Sequence, residues 1–252
     1  MRSLLVWAEL AVKQMLRTRL YLVLAVVQPL FFLLVLAWLS DARDRELGEA
    51  VAGTTVMGMW SAILFGAGRA LQRERRSGTM ELWLVSPRPL LAPLFGVCLG
   101  AATLGLVSAA SALGTATAFF GYRPGTTEVA LFALTLVIGV PALAVLGLLL
   151  SGTFVLLRQA AVLSNMLEYP VWFACALVVP ADSRPRVVAG LGEVLSPTHL
   201  GALLRSALTA GRLDAAPTAK LLGFSALYLV LAVSFLRHVG EVARRRGDLA
   251  IV

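Results

Sequence analysis

Residues 20–39 read LYLVLAVVQPLFFLLVLAWL, twenty positions without a charge. A helix rises about 1.5 Å per residue, so this run reaches about 30 Å, the thickness of a bilayer's hydrocarbon core. Working outward, the pattern recurs. Ala50–Gly68, Leu90–Tyr122 and Val129–Leu157 are also uncharged, Gln159–Ala181 is broken only by Glu168, and Leu221–Leu236 lies between Lys220 and Arg237. Only 14% of the 252 residues are charged and 59% are hydrophobic, with a mean hydropathy of +0.84. A soluble domain of this size carries about 25% charged residues. The reading is an all-α polytopic membrane protein of one domain (1–252), with six transmembrane helices at 20–39, 50–71, 90–121, 128–156, 160–180 and 218–237.

The net charge of +8 raises nucleic acid as a partner, but the placement of the charges argues against it. With both termini cytoplasmic, the inner segments hold 14 Lys/Arg against 5 Asp/Glu, and the outer segments hold 8 of each. That is the positive-inside bias, and it explains the basic residues without nucleic acid. Twenty Arg against two Lys points to a GC-rich bacterial genome, hence a bacterial inner (plasma) membrane. Cys98 and Cys175 fall inside apolar runs and read as buried thiols packing as small apolar groups. Leu4–Thr18 carries charges throughout, which is not a cleavable signal pattern.

Residues 3–18 predict an amphipathic interfacial helix. Leu4, Leu5, Ala8, Ala11, Val12, Met15 and Leu16 share one face opposite Glu9, Lys13 and Arg17, although Val6 and Leu10 blur the polar side. Gly96-x-x-x-Gly100 is a close-packing motif, read here as internal packing. Segment 185–211 is too polar and interrupted for a span, with Glu193 and Pro197 inside it. It predicts external re-entrant or interfacial helices whose irregular backbone is shielded by protein. Pro29, Pro141 and Pro170 each free a carbonyl and predict kinks.

No catalytic constellation is present. There is no G-x-x-x-x-G-K-[ST] phosphate loop, no H-E-x-x-H and no G-x-S-x-G elbow, and His199 and His238 stand in separate segments. No metal-ligand spacing occurs, so neither a metal nor a cofactor is expected on this chain. Glu168, in NMLEYPVWF, is the one acidic residue deep in a span. At a helix centre it costs roughly 2.5–3.5 kcal/mol on insertion scales, so it needs a partner or a wet cavity. Two readings stand side by side: a proton or substrate site, or an interhelical hydrogen bond with Asn165, Tyr169 or a nearby arginine.

Residues 73–87, RERRSGTMELWLVSP, break the apolar pattern on the cytoplasmic side. Gly78 permits a turn and Thr79 can cap a short helix with Glu81 in its first turn. Leu82–Val85 supply an apolar surface, and Pro87 and Pro89 limit its continuation. The order E-x-x-S-G-T-M-E-x-x-x-x-S-P resembles the coupling-helix signature of the type-2 ATP-binding-cassette exporter permeases, with Glu74, Gly78, Thr79, Glu81 and Pro87 at the matching positions. SPTHLGALLRSALTAG at 196–211, with Pro197 and Arg205, is similar to the family's external re-entrant segment before the last span. LEYPVWFACALVVP at 167–180 is similar to the fifth span of its drug- and antibiotic-exporter members, and the tail FLRHVGEVARRRGDL is also similar in form.

The resemblance implies a non-catalytic transmembrane subunit without a fused ATPase. Two permease chains, as homodimer or heterodimer, would each bind a separate ATP-binding-cassette ATPase that carries ATP and Mg2+, two copies per transporter. Segment 74–86, including Leu82 and Trp83, would be the coupling helix docking into that ATPase. The cargo would be a hydrophobic or amphiphilic drug, antibiotic, lipid or lipid-linked glycan. A different class is a proton-coupled secondary transporter using Glu168, which would move substrate on a pH gradient without nucleotide. A polytopic enzyme of lipid metabolism would want His, Asp or Glu clustered at one membrane face, which two isolated histidines do not supply.

Overall fold

The computed structural model describes residues 2–17, 19–39, 44–78, 91–156, 160–178 and 183–246. Among these there are nine helices and no strand: α1 (Arg2–Leu16), α2 (Arg19–Leu39), α3 (Asp44–Arg76), α4 (Leu91–Phe120), α5 (Thr126–Leu156), α6 (Ala160–Ala174), α7 (Arg186–Glu193), α8 (Ser196–Ala210) and α9 (Ala215–Arg246). Four of them, α3, α4, α5 and α9, are long and apolar enough to cross a membrane, or five spans if the bent α7–α8 pair counts as one. The apolar part of α2 whose side chains are described, Val26–Trp38, and the 15-residue α6 are shorter.

α3 is the axis of the bundle. Every residue from Ala50 to Leu64 is buried, as expected of a helix apolar on all sides. It touches α2, α4, α5, α6 and α8. Small residues let α4 lie directly on it. A Cβ at Gly105 would stand 2.8 Å from the Met59 Cα, and one at Gly58 would overlap the Ser108 side chain. Backbones this close gain dispersion contacts that bulkier residues would forbid.

The helices form two sets of ends. Gly48, Tyr122 and Leu208 meet at one end, where the Tyr122 hydroxyl donates to the Leu208 carbonyl at 3.1 Å. Glu128 there reaches back to the Gly125 N–H (2.8 Å), capping the first turn of α5. At the opposite end Arg73, near the end of α3, donates to the Gln14 side chain of α1 at 2.6 Å.

α1 packs along α4, and the Gly96/Gly100 motif is what receives it. A Cβ at Gly96 would overlap that of Trp7 and come within 3.0 Å of the Leu4 carbonyl; one at Gly100 would stand 2.7 Å from the Ala8 carbonyl. The buried stripe is narrower than the sequence pattern suggests. Ala11 and Met15 are buried, with Leu4, Trp7, Ala8 and Val12 half-buried, whereas Leu5 and Leu16 are exposed with Val6 and Leu10. The reason is geometric: two glycines a turn apart seat only the side of α1 that faces them. Lys13 donates to Glu9 one turn away (2.5 Å) and holds that carboxyl below its ordinary range by hydrogen bond and charge. Gly96→Leu is expected to lift α1 off α4, increasing proteolysis near residues 2–16 while the α3–α4 pair survives. Limited proteolysis in detergent with mass spectrometry checks this.

Helical structure continues through Pro29, Pro141 and Pro170 in α2, α5 and α6. The fifth predicted span, 160–180, is shortened: α6 stops at Ala174, and Ala176 turns the chain with a positive φ of 53°.

Candidate functional site

Three arrangements carry the polar chemistry of the chain, and the first is a seam between α2, α3 and α6. Glu168 is 5% exposed. Its Oε1 accepts a hydrogen bond from the Ser61 hydroxyl at 2.6 Å and one from the Gln28 amide at 3.3 Å, and the same amide reaches Ser61 at 3.3 Å. A carboxyl in an apolar interior needs such donors, because an unpaired one is costly. The partners expected from sequence are not the ones used. Asn165 and Tyr169 are exposed, since on a helix they lie a turn apart on the flank that turns away from α3. Ser61 and Gln28 lie in other spans, 107 and 140 residues away. Each is an uncharged polar residue inside an apolar run, and that was their only sequence signal.

One turn along from Glu168, Trp172 is buried between two rings set edge-on, Phe32 of α2 (centroids 5.1 Å apart) and Tyr169 (5.2 Å). Its indole N–H has no hydrogen-bond partner among the described residues. Two apolar stripes of the same helical spacing, Val27, Phe31, Leu34 and Trp38 on α2 and Val162, Met166, Tyr169 and Phe173 on α6, are exposed on the two helices that carry Gln28 and Glu168.

The second arrangement is the broken end of α6 and the elbow between α7 and α8. A helix that stops inside protein leaves carbonyls without N–H partners. Arg184 donates to the Ala174 carbonyl and Arg205 to the Ala176 carbonyl. Gly53 of α3 and Gly192 of α7 leave room for this backbone; a Cβ at Gly53 would stand 2.5 Å from the Leu177 carbonyl and one at Gly192 would overlap that of Ala174. α7 and α8 meet at 88°. The carbonyls of Gly192, Glu193 and Val194 are taken in turn by Thr198 (2.6 Å), the His199 ring (2.8 Å) and the Tyr228 hydroxyl. His199 is therefore a buried structural residue, stacked on Phe224 at 5.5 Å. Leu200 of α8 packs on Gly139, about 20 Å along α5 from Thr126. From that depth α8 climbs back to the Tyr122 end and closes at Gly211, whose φ of 57° is the left-handed cap that glycine supplies cheaply. Pro197 and Arg205 thus belong to one helix, Pro197 buried in its first turn.

The third is the Arg73 end. Glu74 is half-buried in the last turn of α3, so it extends the central helix and does not begin a separate one. The charged run after Arg69 is made of good helix formers, which carries α3 past the predicted boundary at 71. Gly78 follows in a turn with φ of 69°, and no described residue lies within 4 Å of where its Cβ would stand. Thr79, Glu81, Leu82, Trp83 and Pro87 lie outside the described residues.

Among the described residues no three His, Cys, Asp or Glu side chains gather as metal ligands. Cys98 and Cys175 are buried free thiols, Cys98 set 3.2 Å from Ser151.

No curated protein matches the chain. A family model described as the ABC-2 type transporter matches residues 3–208, which takes in every helix from α1 to most of α8. Four helices long and apolar enough to cross a membrane, or five spans with the bent pair, agree with a membrane passage of that kind. The chain belongs to the ABC-2 type transporter family, as a multi-pass membrane permease subunit of an ATP-binding-cassette transporter.

Proposed function

We propose that this permease exports a hydrophobic or amphiphilic molecule, driven by a separate ATP-binding-cassette ATPase that grips the segment 74–86. The chain would cross a bacterial inner membrane six times, with both termini cytoplasmic and the α7–α8 elbow entering from the outside. α2 and α6 would be its shorter crossings. Two such chains, as homodimer or heterodimer, would enclose the path, each docked on one ATPase copy. ATP and Mg2+ would stay on those subunits, so this chain makes and breaks no bonds.

The carrying observation is that α3 is one continuous helix from Asp44 to Arg76. Ser61 stands fifteen residues before the end that leads into Gly78, about 22 Å along a stiff rod. A displacement at the handle therefore reaches the Ser61–Glu168 seam without an intervening hinge. Arg73 holding Gln14 extends the same displacement to α1.

The positive φ of Gly78 makes it the sensitive point, because proline fixes φ near −65°. Gly78→Pro and Glu81→Lys are each expected to abolish substrate-stimulated ATP hydrolysis by the assembled transporter while membrane insertion persists. Unaltered transport in both variants would overturn the coupling-helix reading. Transport into vesicles on a pH gradient without nucleotide would favour the proton-coupled alternative.

A further inference from the structure

The seam between α2 and α6 has binding capacity left over after its structural bonds are made. Glu168 spends Oε1 on Ser61 and Gln28, while its second oxygen accepts nothing from the described residues. No lysine or arginine among the described residues lies within 4 Å of it. One turn away, Trp172 is 3% exposed and its indole N–H has no acceptor among the described residues. A buried N–H of this kind is usually paired, and an unpaired one asks for an explanation. An interhelical strut alone needs neither a spare carboxyl oxygen nor an idle indole donor.

The surroundings define what would use both. Tyr169 is 63% exposed and Phe31 58%, so apolar and aromatic surface flanks the seam. Aromatic faces attract organic cations, and the attraction grows when water is excluded. An acidic group without a basic partner in an apolar span gains from a mobile cation. We infer that the seam of Glu168, Trp172 and Tyr169 is a binding subsite for lipophilic cations, molecules with an apolar body and a weakly hydrated positive charge. The occupant is set by charge complementarity to Glu168, with the rings as its walls. The inference rests on the permease reading above and adds a substrate class to it.

Tetraphenylphosphonium and tetraphenylborate test it, being nearly equal in size and shape and opposite in charge. Their protein-dependent binding is measured with the full chain in nanodiscs, empty nanodiscs serving as blank. Saturable binding of the phosphonium and none of the borate is expected. Glu168→Gln, whose amide oxygen still accepts from Ser61, should weaken phosphonium binding about tenfold, and Glu168→Asp should recover part of it. Equal binding of the two ions would overturn the inference. So would undiminished phosphonium binding in Glu168→Gln, or loss of affinity in Glu168→Gln and Glu168→Asp alike accompanied by a lowered melting temperature, which marks a purely structural carboxyl. Failure of the permease reading looks different: no ATPase is retained by the chain and no compound of any charge stimulates ATP hydrolysis. If a neutral amphiphile stimulates hydrolysis and the phosphonium neither binds nor stimulates, the cation subsite fails alone.

Discussion

Gly58→Leu is expected to abolish the accumulation of folded protein. Gly58 sits on the all-round buried stretch of α3, where a Cβ would overlap the Ser108 side chain and come within 3.3 Å of the Pro29 ring. Overpacking costs typically about 1–3 kcal/mol when neighbouring side chains can move. Here the neighbours belong to two helices held against α3 with little space, and Gly105 presses on the Met59 backbone one step along the same contact. A leucine must therefore push α4 away from α3 along much of the contact, with a loss above about 3 kcal/mol. Fluorescence-detected size exclusion in detergent reads the outcome. Gly114→Leu is the control: it lies on α4 at an exposed position with none of the described residues near a Cβ, so it should elute as the wild type.

The second large effect is expected at Arg205. Replacing it by alanine leaves the Ala176 carbonyl without its donor at a point where the chain has already left the helix. A buried polar group deprived of its partner costs about 1–3 kcal/mol, and several kcal/mol where neither water nor protein replaces it. Arg205→Ala should lower the melting temperature and open residues 174–178 to hydrogen exchange. Arg205→Lys keeps a donor but loses the planar fork, so an intermediate loss is expected. Arg212→Ala, which removes an exposed ion pair with Asp214 (3.1 Å), should change stability by less than about 1 kcal/mol. A flat exchange profile at 174–178 in Arg205→Ala would mean that Arg184 and the two facing glycines hold the break by themselves.

The helices were largely legible because lipid imposes one simple rule, that backbone groups pair within each segment and side chains be apolar. The runs beginning at Leu20, Ala50, Leu90 and Val129 obey it, and α2 to α5 follow them with boundaries shifted by a few residues. The larger shifts, at both ends of α3, came from Asp44–Glu49 and from Arg73–Arg76, where charge bounds a hydrophobic run without ending a helix. The fifth span misled because its apolar composition continues to Ala181, while its backbone leaves the helix at Ala174. Composition reports solvent preference, and it does not report where distant donors stand ready to accept a broken end.

Glu168 marks the same division. The sequence by itself determined that an acidic side chain lies in an apolar span and must find donors, since desolvation is a property of the group and its segment. It also determined the helical class, the absence of catalytic motifs and the place of the Gly78 turn. Only the tertiary structure decided that the donors are Ser61 and Gln28, that Arg184 and Arg205 close the broken α6, and that Gly96 and Gly100 seat α1. Those pairings join residues that can be more than a hundred positions apart. They depend on how helices rotate and cross, which is fixed by the fit of small residues between neighbours and leaves no local periodic trace.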